Sequence, residues 1–175
     1  MSTAPPFVIV PATRALVPAI HDMVRELALY EKLEHLMSGS AAELESELFA
    51  AQPVIEAVVA LADGAAAGFA LYFHNYSTFL ARKGLYLEDL YVRPAYRRRG
   101  IGRTLLIHLA QLALARGCGR FEWSVLDWNQ TAIQFYEGLG ATLLPEWCIA
   151  RVTGEALRSL AARPAQDWDP FDKRK

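Results

Sequence analysis

The sequence predicts a mixed α/β layer fold, and three observations carry that prediction. Runs of strand character alternate with segments of helical apolar spacing in the order β-α-α-β-β-(β)-β-α-β-α-β. Two glycines, Gly100 and Gly102, sit where a strand gives way to a helix. The chain has 175 residues, 53% hydrophobic and 21% charged, which is ordinary for a soluble globular domain and enough for one well-formed core.

Residues 7–10 form a short apolar strand closed by Pro11, and Thr13 is placed to cap the helix after it. From 15 to 33 the residues Leu16, Ile20, Met23, Val24, Leu27 and Leu29 recur at helical spacing, with Pro18 in the first turn, where it is tolerated. Ser40 and Glu43 have the spacing of a capping box, which opens a second short helix to about Phe49. Residues 54–61 and 67–76 read as a hairpin across Asp63-Gly64, and 86–92 as the third strand of that sheet. Leu105, Leu106, Leu109, Leu112 and Ala113 make the apolar stripe of the next helix, ending near Arg116-Gly117. A strand over 121–126, a helix over 131–139 stopped by Gly140, a closing strand over 148–152 and a last helix near 155–160 complete the series. From Arg163 onward the chain lacks apolar periodicity and is expected to be a peripheral tail.

The strand-to-helix junction is the most informative stretch. Arg97, Arg98, Arg99, Gly100, Ile101, Gly102 and Arg103 read as a pyrophosphate cradle: glycine lets main chain approach a ligand, and N–H groups at a helix start point at its anionic oxygens. The bland alternative is a solvated, charged turn. The R-x-x-G-x-G spacing is neither the G-x-G-x-x-G of dinucleotide folds nor a P-loop, since no Lys-Ser/Thr comes after it.

The run from Tyr86-Leu87-Glu88-Asp89-Leu90-Tyr91-Val92 through Gly102 resembles the acetyl-CoA binding core of the GNAT N-acetyltransferases. Val125-Leu126-Asp127-Trp128-Asn129-Gln130 and Phe135-Tyr136-Glu137-Gly138-Leu139-Gly140-Ala141 resemble the second half of that family's pattern. Residues 7–13 and 26–31 are similar to its diamine acetyltransferase branch, which includes the spermidine/spermine enzymes. The local text at 76–78, 125–130 and 154–156 resembles the thialysine N-epsilon-acetyltransferases more than the spermidine/spermine enzymes. The triple arginine departs from the Arg-Gly-x-Gly usual in both.

This resemblance covers residues 7–162, which it implies are one domain, with 163–175 as the tail. It implies the GNAT acyltransferase fold, with a mostly antiparallel sheet splayed at the cofactor site and helices on both faces. Acetyl-CoA would be the acetyl donor and a small-molecule primary amine the acceptor. A protein or peptide N-acetyltransferase and a non-catalytic acyl-CoA binding module are the alternatives.

Acetylation needs a neutral amine, yet an alkyl ammonium has a pKa of about 10.4, so a proton acceptor is required. Glu88 resembles the carboxylate that relatives use through water; otherwise it is an edge carboxylate paired with an arginine. Asp89 reads as structural or substrate-orienting. Tyr136 resembles the acid that protonates the departing thiolate, or is a core aromatic. The strand residues Leu90, Tyr91 and Val92 would contact the pantetheine arm through main chain, with an N–H near Leu90 facing the oxyanion. Asn129 is a cofactor contact, a helix N-cap, or both. Tyr30, Glu31, Asp127 and Trp128, with Glu88, would line a site for cations.

A net charge of −1 gives no global case for nucleic acid or an anionic membrane. Cys118 and Cys148 lack metal-ligand spacing and are expected to be buried free thiols, so no metal is expected. No leader pattern and no long apolar run occurs, which points to a cytoplasmic protein. The apolar content and the resemblance together predict a homodimer through the C-terminal strand and helix.

Overall fold

A computed structural model describes residues 7–164, so the expected tail from 165 onward lies outside the described residues. The chain divides into two compact units, one up to Leu126 and one from Asp127.

In the first unit, strand β1 (Phe7–Pro11) leads through a 3-10 turn at Arg14–Leu16 into helix α1 (Val17–Glu31). Pro18 falls in the first turn of α1, and Lys32 ends the helix in the left-handed region at φ 61°. Helix α2 (Ala41–Leu48) opens on the anticipated capping box: Ser40 N–H donates to Glu43 Oε2 at 2.8 Å, and Glu43 N–H to Ser40 Oγ at 3.2 Å.

Strands β2 (Glu56–Ala62) and β3 (Ala65–Ser77) form the hairpin. Asp63 and Gly64 both have positive φ, at 52° and 78°, as a turn matched to strand twist requires. Strand β4 (Arg82–Val92) starts four residues earlier than sequence patterning indicates, because the long hairpin carries its exposed, polar end beyond the core. After helix α3 (Ile101–Ala115) comes β5, cut to Phe121–Trp123 because its pairing with β4 ends there.

The sheet has the order β1-β2-β3-β4-β5, antiparallel throughout except for the parallel pair β4–β5. Val59, Phe69, Leu71 and Tyr91 share one face and pack with Val17, Ile20 and Met23 of α1. The opposite face carries α3, whose Ile101, Leu105, Leu106, Leu109 and Ala113 are buried. Each fully buried Val, Leu, Ile, Phe or Met among them stabilises the fold by about 1.5–3 kcal/mol through its removal from water. Gly68 is required by space: a Cβ there would meet Tyr91 O at 2.7 Å and Val92 Cγ2 at 3.1 Å.

The second unit holds helices α4 (Gln130–Glu137) and α5 (Gly154–Ala161). The closing strand expected over 148–152 is not formed; these residues are exposed and irregular. Their β-branched and aromatic content expresses a preference that becomes a strand only with a partner to pair with. Cys148 is exposed and Cys118 half-buried, which corrects the expectation of two buried thiols.

Candidate active site

The pairing of β4 builds the site. On its β5 side, β4 is bonded at Lys83 to Gly119 and paired from Leu85 to Leu87; among the described residues no strand pairs with that edge from Glu88 to Val92, which leaves it open. Against β3, Leu71 faces Asp89 while Tyr72 faces Leu87, which leaves Glu88 as the extra residue of a β-bulge. The bulge reverses the alternation of β4. Asp89 therefore lies on the α1 face with Leu71 and Tyr91, where an unbroken strand would have turned it to the α3 face.

Main-chain direction on the open edge is set by one bond. Arg93 N–H donates to Ala67 O at 2.9 Å, so Arg93 and Tyr91 face β3. Because strand groups alternate, Leu90 and Val92 turn their N–H and C=O groups toward the opening. The open edge thus presents the Leu90 N–H that sequence reasoning placed near an oxyanion.

Asp89 lies within electrostatic reach of two other carboxylates, Glu88 and Glu31. The Asp89 carboxyl is pushed up to about 6, first by burial and then by the negative charges of Glu88 and Glu31. Glu31 is itself held above its ordinary range by burial. It is the last residue of α1, where the helix dipole adds partial negative charge. Glu88 is exposed, and among the described residues it makes no ion pair with an arginine. Among the described residues none of the three makes an ion pair, and such a concentration of negative charge is suited to an ammonium group.

Beyond β4 lies the cradle. Arg98 and Gly100 both take positive φ, at 64° and 84°. Among the described residues, none of the backbone N–H groups from Arg98 to Arg103 donates to a carbonyl. These N–H groups, at the open end of a 15-residue helix with no capping side chain, fit a pyrophosphate.

The four arginines divide between two tasks. Arg99 stands 3.5 Å from Asp63 and stacks over Tyr96 at 5.3 Å. Arg97 donates from Nε to Val92 O at 2.9 Å, and its guanidinium lies over the rings of Tyr30 and Tyr91 at 5.4 and 5.6 Å. Arg98 and Arg103 are exposed and make no ion pair among the described residues. They are the arginines whose charge remains available to an anion.

A separate opening of about 640 Å³ lies along α1 and residues 34–39, lined by His21, Asp22, Arg25, Glu26, Glu34 and Arg93 among others. None of Glu31, Glu88 or Asp89 lines it. Its Glu26 is paired with Arg93 at 2.9 Å, so its charge is mixed and partly compensated.

In the second unit, Asn129 is the N-cap of α4, its side chain accepting from Ala132 N–H at 3.3 Å. Gln130 Nε2 donates to Asp127 O at 2.9 Å, and both Asp127 and Trp128 are exposed. Tyr136 is half-buried on α4, its ring 5.4 Å from that of Phe135.

Sequence reasoning named Glu31 and Glu88 but did not see that Asp89 completes their cluster. The signal that finds it is the bulge, which exists only once β3 and β4 are in register.

Comparison with known proteins gives a match to the model of the GNAT acetyltransferase family over residues 20–141. The thialysine N-epsilon-acetyltransferase of Mus musculus is 41% identical, with 82% of this chain and 91% of that protein covered. The L-ornithine N5-acetyltransferase of Arabidopsis thaliana is 34% identical, with 85% of each covered. An integron cassette protein from the V. cholerae mobile metagenome has a TM-score of 0.75 at 26% identity, covering 90% of this chain and 99% of that one.

Proposed function

The chain belongs to the GNAT family of acetyltransferases, and from that premise we propose that it acetylates the side-chain primary amine of a small amino acid of the thialysine type. The observation that carries this reading is that Glu31 and Glu88 lie within electrostatic reach of Asp89 beside the open edge of β4. The names of the mouse and Arabidopsis relatives support the substrate class, since thialysine and ornithine are both amino acids with a terminal amine.

Acetyl-CoA, the co-substrate of GNAT enzymes, would supply a thioester to whose carbonyl the amine adds, forming the C–N bond before the C–S bond breaks. In this proposal the N–H groups of residues 98–103 hold its pyrophosphate, assisted by Arg98 and Arg103. Leu90, Tyr91 and Val92 run beside its pantetheine arm. Asp89 and Glu31 hold the ammonium form of the amine. Glu88 takes the amine proton through water, which frees the lone pair for attack. The Leu90 N–H faces the negative charge that develops on the carbonyl oxygen. Tyr136, a phenol of pKa about 10, donates a proton to the leaving sulfur and is reprotonated by the second proton that the amine nitrogen sheds as the adduct collapses. Asn129, Tyr30, Asp127 and Trp128 complete the proposed cofactor and substrate contacts.

The test is side-by-side turnover with thialysine, lysine, ornithine, putrescine, spermidine and spermine, read as release of free CoA. Thialysine should give the highest kcat/KM, because a polyamine offers no α-carboxylate to be read. Spermidine or spermine first would overturn the substrate class, and turnover with none of them would overturn the small-amine reading.

A further inference from the structure

The side chain of Arg97 does not point into the cradle that its sequence position opens. It turns back: Nε holds Val92 O at 2.9 Å, and the guanidinium lies between Tyr30 of α1 and Tyr91 of β4. Tyr30 directly precedes Glu31, the last residue of α1, and Arg98, directly after Arg97, begins the run of undonated N–H groups. The Tyr91 hydroxyl interacts in turn with Glu26 of α1, which is also bonded to Arg93. A continuous set of side chains therefore joins the mouth of the cradle to the last turn of α1.

We propose that Arg97 is a positioning residue that ties occupancy of the cradle to the placement of the last turn of α1, and so of Glu31. A pyrophosphate drawn onto the N–H groups of residues 98–103 fixes the main chain at Arg98, and with it the backbone from which the Arg97 side chain reaches back. The guanidinium then holds Tyr30 against Tyr91, which orders the turn that ends at Glu31. Arg97 is exposed, and of the two rings it stacks on Tyr91 is buried while Tyr30 is 40% exposed, so the stack on the α1 side is the weak link. The reading of Glu31 as an amine contact gives this coupling its consequence, namely that the acetyl donor prepares the acceptor site; the coupling itself needs no amine.

Hydrogen–deuterium exchange with and without saturating CoA tests it on the full chain. In the wild type, CoA should slow exchange of residues 28–33 by about fivefold or more. In Arg97→Lys, which keeps the charge and loses the planar stack, that protection should fall below about twofold, with CoA affinity within about threefold of wild type. Tyr30→Leu removes the far end of the link without touching the cradle and should lose the protection in the same way. Protection that survives in either variant overturns the proposal, as does a wild type in which CoA leaves residues 28–33 unchanged. A loss of CoA affinity beyond about tenfold in Arg97→Lys would make Arg97 a phosphate ligand and overturn it too. Because no amine is present, these outcomes are read independently of whether thialysine is the substrate.

Discussion

Asp89 holds its proton more tightly in the folded chain than an ordinary aspartate, about 6 against a usual value near 3.8. Between those values the folded state binds more protons than the unfolded one, so stability falls as pH rises. The penalty is absent below about pH 4 and complete above about pH 6, where it amounts to on the order of 3 kcal/mol. Asp89→Asn should therefore melt higher than wild type at pH 8 and at the same temperature at pH 4, as differential scanning calorimetry would show; equal melting at both would remove the carboxylate cluster. At Arg98 the cost lies in the backbone. An arginine at φ 64° is strained by about 1–2 kcal/mol that glycine escapes, and this is the position where the resemblance leads one to expect glycine. Arg98→Gly should raise stability by about 0.5–1 kcal/mol in urea unfolding after the entropy of the new glycine is subtracted.

At the level of elements, the site depends on β4 being paired on one side and open on the other. Gly68 on β3 is packed against Tyr91 O, so even one methyl group would push the two strands apart beside the open edge. Gly68→Ala should destabilise by about 1–3 kcal/mol in urea unfolding, whereas Gly39→Ala, where a Cβ meets nothing within 4 Å, should cost far less. Elements with local signals were legible in the sequence: the capping box at Ser40-Glu43, the Asp63-Gly64 turn and the apolar stripe of α3. Features that were not legible depend on pairing between distant residues. The bulge at Glu88, the reversal that brings Asp89 to Glu31, and the space reserved for Gly68 are set by the β3–β4 register. The strand expected over 148–152 shows the reverse case, a local preference with no partner to satisfy it. The turn of the Arg97 side chain back to Val92 O is likewise not legible, because sequence position says where a residue starts, not where a long side chain turns.

For the whole molecule, the family match runs from residue 20 to 141 and so includes parts of both compact units. Among the described residues of the second unit, Trp147, Ile149, Leu157 and Leu160 are about half or more exposed, and we propose that a second copy of the chain covers them. Sedimentation at micromolar concentration should then show a species of about twice the 19.5 kDa chain mass, and Trp147→Lys should shift it toward the monomer. Tyr136→Phe should lower kcat by about 100-fold while CoA affinity, measured by calorimetry, stays within about threefold, as an interaction made only late in the reaction requires. In the mechanism proposed above, the carboxylates around the β4 bulge divide their work, two holding the amine and one taking its proton. The decisive measurement is steady-state release of CoA with thialysine at pH 8, compared across wild type, Glu31→Gln, Asp89→Asn and Glu88→Gln. KM should rise about tenfold or more with kcat largely retained in the first two variants, and kcat should fall about 100-fold in Glu88→Gln; KM unchanged in both Glu31→Gln and Asp89→Asn, or full turnover in Glu88→Gln, would contradict that division.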